Sequence, residues 1–232
     1  MNFSFPTKAS DAEVKKDRLL SAALLAGLVI AALAIWLFSF LGREVLAGVT
    51  PGVDELRADL HAVASPGLTR IMIAASRYGG PTWLTWIGIV FAVAFLYRRW
   101  HRGAVLVVVT LAGAGLLDGV LKVTFGRARP AAFFDYPLPG SASFPSGHAL
   151  YATCFFGVAA VLLSSRVRGP ALRVLIWCVA VFLIGLIGLS RVYLGVHYPS
   201  DVLAGYSAGA FWVASVAVGD HLMGRRRRSR AG

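Results

Sequence analysis

The sequence predicts an all-α integral membrane bundle of six transmembrane helices, with an amphipathic outer segment between the first helix and the second. Three observations carry this expectation. The 232-residue chain is 57% hydrophobic and only 15% charged, with a mean hydropathy of +0.70, too apolar for an ordinary soluble domain. Its apolar residues lie in long blocks rather than at an amphipathic period. Its positive residues gather beside those blocks, as juxtamembrane charges do.

An apolar helix needs about 20 residues to cross the hydrocarbon core. Residues 1–18 are polar and carry Lys8, Lys15, Lys16 and Arg18, a cytoplasmic segment ahead of the first span, Leu19–Leu41. That span exceeds the about 7–15 residues of a signal-peptide core and lacks a small-x-small cleavage site, so it is expected to be retained. In the outer segment, Gly42–Gly80, Thr50-Pro51-Gly52 reads as a helix start, and Val53, Leu56, Leu60 and Val63 recur at helical spacing. Ser65-Pro66-Gly67 ends that helix and begins another short one. Such a segment lies along the outer membrane surface, where it covers the bundle or guides a lipid.

Pro81–Tyr97 is the second span, and Trp83, Trp86, Tyr97 and Trp100 flank it as interfacial aromatics. Gly103–Phe125, Ala149–Ser164, Ala171–Ser190 and Asp201–Met223 follow as spans three to six. The membrane domain thus covers residues 19–223, and residues 224–232 form a basic tail around the Arg225–Arg228 run, suited to anionic lipid.

Six spans put both termini on one side. With that side cytoplasmic, the outer segments hold Arg43, Arg57, Arg70, Arg77, Lys122, Arg127, Arg129 and Arg191, and the other 15 of the 23 cations lie inside. The positive-inside rule favours this orientation. A net charge of +12 would suit nucleic acid, but these cations sit beside apolar blocks that leave little soluble surface for a duplex. Lipid headgroups are the expected partner instead. Cys154 and Cys178 fall inside apolar blocks and read as small buried hydrophobes.

Three motifs stand at the span ends: Lys122-x6-Arg129-Pro130, Pro145-Ser146-Gly147-His148, and Ser190-Arg191-x5-His197-x3-Asp201. Ionisable groups at such positions are costly, and membrane chains keep them for function. Helix alternation puts all three motifs at the outer side, in one pocket below the headgroups. Lys122, Arg129 and Arg191 suit a phosphate, the arginines by binding two oxygens at once. Gly147 lets backbone N–H groups approach an oxygen at a helix start, and Ser146 supplies a hydroxyl.

Asp201, four residues after His197, can fix that ring's tautomer and free its other nitrogen to attack phosphorus. His148 follows the Ser-Gly pair and is placed to protonate the leaving oxygen. Asp118 either pairs with Lys122 one turn later or faces a wet cavity. Arg127 lies outside the motif positions and reads as a headgroup anchor. His61, His101 and His221 read as surface or interfacial residues. The ligand types His148, His197 and Asp201 would admit a metal, but three adjacent cations would repel it.

These motifs resemble those of the type-two phosphatidic-acid phosphatase superfamily, which also includes vanadium haloperoxidases. All three match without departure across about a hundred residues, and the six-span layout extends the likeness over most of the chain. The resemblance implies a multi-pass lipid phosphatase of the cell membrane with no metal or other cofactor. It implies a phosphohistidine on His197, acid catalysis by His148, and a lipid phosphate or diphosphate as substrate. Undecaprenyl diphosphate, phosphatidylglycerol phosphate, phosphatidate and lipid A phosphates all fit, with a slight preference for polyprenyl diphosphate. A lipid phosphotransferase would share the first half-reaction. The rivals from other classes are an intramembrane serine hydrolase using Ser146 with His197, and a lipid binder or transporter without catalysis.

Overall fold

The computed structural model describes residues 11–48 and 53–229. Thr50-Pro51-Gly52, expected as a helix start, lie outside the described residues, as do Lys8 and the side chains of Lys15, Lys16, Arg18 and Arg225–Arg228. Eight helices follow one another: α1 (Asp11–Leu46), α2 (Val53–Ala62), α3 (Pro66–Tyr78), α4 (Pro81–Tyr97), α5 (His101–Phe125), α6 (Gly147–Ser164), α7 (Pro170–Tyr193) and α8 (Pro199–Ser229). The described residues contain no strand.

Five of these helices contain stretches long and apolar enough to span a bilayer, within α1 (Leu24–Leu46), α5, α6, α7 and α8 (Pro199–Gly224). The expected second span coincides with α4. With 17 residues, α4 is short for a crossing on its own. It follows α3 across a bend of 54°, and the bent pair taken together is long and apolar enough to be a sixth candidate span.

Helix ends depart from the sequence boundaries for local reasons. Proline stands in the first turn of α3, α4 and α7, where its missing N–H costs nothing. Ser65 caps α3, accepting a bond from the Leu68 amide at 3.3 Å. No proline lies between Asp11 and Leu46, and the isolated Gly27 and Gly42 are tolerated, so the polar lead-in and the first span form one helix. At the other end, α8 runs unbroken past Met223 to Ser229.

α6 is the central helix and packs on α5, α7 and α8. Ala149, Leu150, Ala152 and Cys154 are wholly enclosed on it. The other helices turn large apolar side chains outward, among them Leu33, Trp36, Val93, Val123 and Phe182. A surface of that kind is stable against lipid tails and not against water. The molecule is a multi-pass membrane protein. Cys178 belongs to this outer surface, which corrects its expected burial. Leu60 on α2 packs inward against the Ala149, Val192 and Val202 cluster, whereas Leu56 on the same helix and Val63 just after it stay exposed.

At the end away from the motifs, Arg102 pairs with Asp220 and joins α5 to α8. The Arg166 guanidinium lies 3.8 Å above the Trp100 ring. At the motif end, the 126–146 loop and the short 194–198 loop come together. Phe133 donates from its amide to the Leu194 carbonyl at 2.9 Å, and Ser143 to that of Arg127 at 2.8 Å.

Candidate active site

The site begins where α6 and α8 begin. The Ser146 amide donates to the Asp201 carbonyl at 2.9 Å, which ties the two helix starts together although 55 positions separate them in sequence. The Ser146 side chain makes no capping bond. Its hydroxyl is buried without a hydrogen-bond partner, and the first-turn amides of α6 lie beside it. A helix start with unused donors favours an anion.

Lys122, at the end of α5, reaches this place. Its ammonium donates to Asp118 Oδ2 at 2.9 Å across one helical turn, so the pairing alternative for Asp118 is the one found. Gly147 is required by the approach. A Cβ there would lie 2.7 Å from Asp118 Oδ1 and 3.2 Å from Lys122 Nζ, closer than the carboxylate can tolerate.

His197 is 1% exposed and Asp201 is wholly buried. His197 Nδ1 lies 3.3 Å from Asp201 Oδ2, and its Nε2 lies 3.0 Å from Arg129 Nη1. A guanidinium can only donate, so Nε2 is the accepting nitrogen and the ring proton sits on Nδ1, facing the carboxylate. Burial pushes the His197 pKa down from 6.5 to about 4, outweighing the opposing pull of Asp201. The ring is therefore neutral, with its lone pair at Nε2.

Two further residues hold Asp201, and neither is a motif position. Ser143 donates to Oδ2, and Arg127 donates to Oδ1 at 2.7 Å and to Ser200 Oγ at 2.9 Å. The Tyr198 amide adds a bond to Oδ2 at 2.9 Å. The expected anchor role of Arg127 is thus corrected. Its guanidinium is mostly buried against the carboxylate and lies 4.0 Å above the Tyr198 ring. In an extended stretch, residues two apart share a side, so Arg127 and Arg129 can enter the same site. That spacing was the available clue.

Arg129 differs from the expected two-oxygen clamp. Its Nε donates to the Ser141 carbonyl at 2.8 Å, its Nη1 to that of Val196 at 2.9 Å, and its Nη2 to Ser141 Oγ and the Ala142 carbonyl. Every guanidinium N–H is engaged once the bond at His197 is included. Burial lowers its pKa. Arg129 therefore joins the 141–142 turn to the His197 loop and presents one N–H at His197 Nε2.

Arg191 is the arginine with donors to spare. It is 1% exposed, in the last turn of α7. Its Nη1 bonds Ser76 on α3, while its Nε has no partner. Ser76 Oγ lies 3.1 Å from the Tyr136 hydroxyl, and the Arg191 guanidinium lies 5.7 Å from that ring. Ser76 and Tyr136 had no motif to mark them.

His148 points toward the α3–α4 junction. Its Nε2 and the Ser76 carbonyl lie 3.3 and 3.5 Å from where a Cβ on Gly80 would stand. With Arg191 it lines a cavity of about 510 Å³ that opens past Arg77, Thr82, Trp83 and Tyr136.

Arg57, on α2, is also buried. It donates to the Ala131 carbonyl at 2.7 Å and to the Gly195 carbonyl at 3.2 Å, pinning α2 onto the loop that carries His197. Gly195 has φ +77°, and a Cβ there would lie 2.6 Å from the Phe133 amide nitrogen. His61 stays exposed, with its ring stacked on Phe133 at 4.4 Å.

The structure thus brings Lys122, Ser146, Gly147, Arg129, His197 and Asp201 to one place, with His148 and Arg191 on the adjoining cavity. The assembly offers a neutral imidazole beside several cations and unpaired donors. It suits an anion that is also an electrophile.

Comparison with known proteins matches residues 103–221 to the PAP2 superfamily. Phosphatidylglycerophosphatase B of Bacillus subtilis (strain 168) is 35% identical over 177 residues, which cover 74% of this chain and 85% of the relative. A lipid A 1-phosphatase of Rhizobium etli is 39% identical over 132 residues, covering 53% of this chain and 52% of the relative. The chain therefore spans about half the length of that second relative. The crystal structure of a transmembrane PAP2-type phosphatidylglycerolphosphate phosphatase from Bacillus subtilis superimposes with a TM-score of 0.70 at 30% identity. The match covers 81% of this chain and 95% of that one.

Proposed function

Because the chain belongs to the PAP2 superfamily, we propose that it is an integral membrane lipid phosphatase that removes a terminal phosphate at the outer face of the membrane. One observation supports this reading above the others. His197 holds its proton toward Asp201 at Nδ1 and presents its accepting nitrogen, Nε2, toward the cationic end of the site.

In the first step, His197 Nε2 attacks phosphorus. The N–P bond forms as the bond from phosphorus to the lipid oxygen breaks, and His148 gives its proton to that oxygen. The transferred group's three equatorial oxygens face Lys122, Arg191, Ser146 and the first amides of α6, with one N–H from Arg129. In the second step, water attacks the phosphohistidine, His148 takes the water's proton, and inorganic phosphate leaves with His197 restored. These cations supply the charge that a divalent ion supplies elsewhere, so chelator should leave turnover intact.

The serine-hydrolase alternative fits poorly. It needs Ser146 Oγ within bonding reach of a histidine, whereas that oxygen has no hydrogen-bond partner. The substrate is drawn from lipid phosphates and diphosphates, including phosphatidylglycerol phosphate, undecaprenyl diphosphate and phosphatidate. The test is phosphate release from that panel by the purified protein, with His197→Ala beside it. Release that stops in the variant, and acid-labile label on the wild-type protein after quenching with labelled substrate, are the expected results. Full activity in His197→Ala, or activity that chelator abolishes, would overturn the mechanism.

A further inference from the structure

The cavity beside His148 has an inner and an outer end. Its inner end is formed by His148 and Arg191, and Arg77, Thr82 and Trp83 lie on the α3–α4 side, with Tyr136 opposite from the 126–146 loop. In an in-line displacement the leaving oxygen stands opposite His197 and next to the acid, His148. Whatever that oxygen carries must then occupy the cavity past His148. Arg77 lines that space.

Arg77 occupies the last turn of α3. It is exposed, and its side chain makes no hydrogen bond or ion pair with any described residue. It is also one of the outer cations that the positive-inside rule leaves unexplained. Arg57, Lys122, Arg127, Arg129 and Arg191 are all held in contacts around the site. Arg77 instead faces the cavity with its donors unused. A guanidinium so placed meets the leaving group, and it matches a phosphate better than a sugar or an acyl ester.

We infer that Arg77 binds a second, non-transferred phosphate on the leaving-group side, so that the substrate class is lipids carrying two phosphates in series. A diphosphate places that second phosphate directly on the leaving oxygen. A phosphatidylglycerol-phosphate headgroup places it one glycerol further away. A lone monoester such as phosphatidate has none. The inference rests on the proposed role of His148 at the leaving oxygen.

The test measures kcat/KM of wild type, Arg77→Gln and Arg77→Lys on undecaprenyl diphosphate, phosphatidylglycerol phosphate and phosphatidate, each at the same mole fraction in mixed micelles. Arg77→Gln should lose about tenfold or more, mainly through KM, on at least one doubly phosphorylated lipid. Its phosphatidate turnover should stay within about twofold of wild type on the same scale of reasoning, and Arg77→Lys should recover part of the loss. The lipid that suffers more identifies the spacing of the second phosphate. A headgroup anchor, or a basic residue that serves only the helix dipole, would change all three substrates alike. Equal losses on all three, no loss on any, or a wild type that prefers phosphatidate would overturn the inference while leaving the phosphatase reading intact. A wild type that releases phosphate from none of them would overturn that reading itself.

Discussion

Removing Arg127 leaves the Asp201 carboxylate buried without its closest cation. Breaking a buried pair on one side costs about 3–5 kcal/mol, and here the orphaned group also bonds His197, the proposed nucleophile. Arg127→Ala should therefore lower the melting temperature and cut kcat together, and Arg127→Lys should recover more of the stability than of the rate. Calorimetry and steady-state kinetics on the purified variants check both. An Arg127→Ala protein of wild-type stability would show that the pair contributes nothing. The pH dependence follows from His197. Its pKa lies near 4 in the fold and near 6.5 in the open chain, so the unfolded state binds more protons between those values. This group's contribution to stability is complete above about 6.5 and falls as pH drops through that window. His197, the proposed nucleophile, stays neutral across the same window, so the acid limb that it sets in kcat/KM belongs near pH 4. A limb from this residue at the ordinary imidazole position would contradict the burial argument. The motif residues were legible in the sequence because their spacings are short and set by helix ends. Arg127 was not, because its partner lies 74 positions away and only folding makes them neighbours. The full engagement of Arg129 was hidden for the same reason, since its acceptors are carbonyls that every residue possesses.

At the scale of elements, α3 changes most between sequence and structure. Its start at Ser65-Pro66 was readable from cap chemistry, but its task was not. It was expected to cover the bundle or guide a lipid. It instead packs on α7 and gives Ser76 to Arg191. Ser76→Ala should free the Arg191 guanidinium to wander and lower kcat/KM by about tenfold, with little change in stability because Tyr136 can still cover the site. Kinetics on that variant decide the matter, and an unchanged kcat/KM would reduce α3 to a cover. The bend between α3 and α4 was equally hard to foresee. Gly79 and Gly80 mark a break in any reading, yet hydropathy alone treats Pro81–Tyr97 as an independent span. Across that break α3 and α4 together pass as one bent candidate span.

For the whole molecule, the proposed orientation puts the motif ends of all the spans outside. Cysteine introduced at Gly140, in the exposed loop before α6, should react with a membrane-impermeant maleimide in intact cells. Cysteine at Arg168, between α6 and α7, should react only after the membrane is opened. The reverse pattern would invert the topology and move the chemistry to the cytoplasmic leaflet. Hydropathy made the count and order of the spans legible because bilayer thickness dictates their length. Side-chain packing set which of their faces meet, and no single-chain periodicity reports that. The cavity beside His148 opens at the bend between α3 and α4, and under the proposed function a lipid headgroup would enter there without its tails leaving the leaflet. The enzyme would then sample its substrate in two dimensions. Its velocity would follow the surface fraction of that lipid rather than the amount added per volume, and diluting the substrate with inert lipid would slow turnover even at constant total concentration.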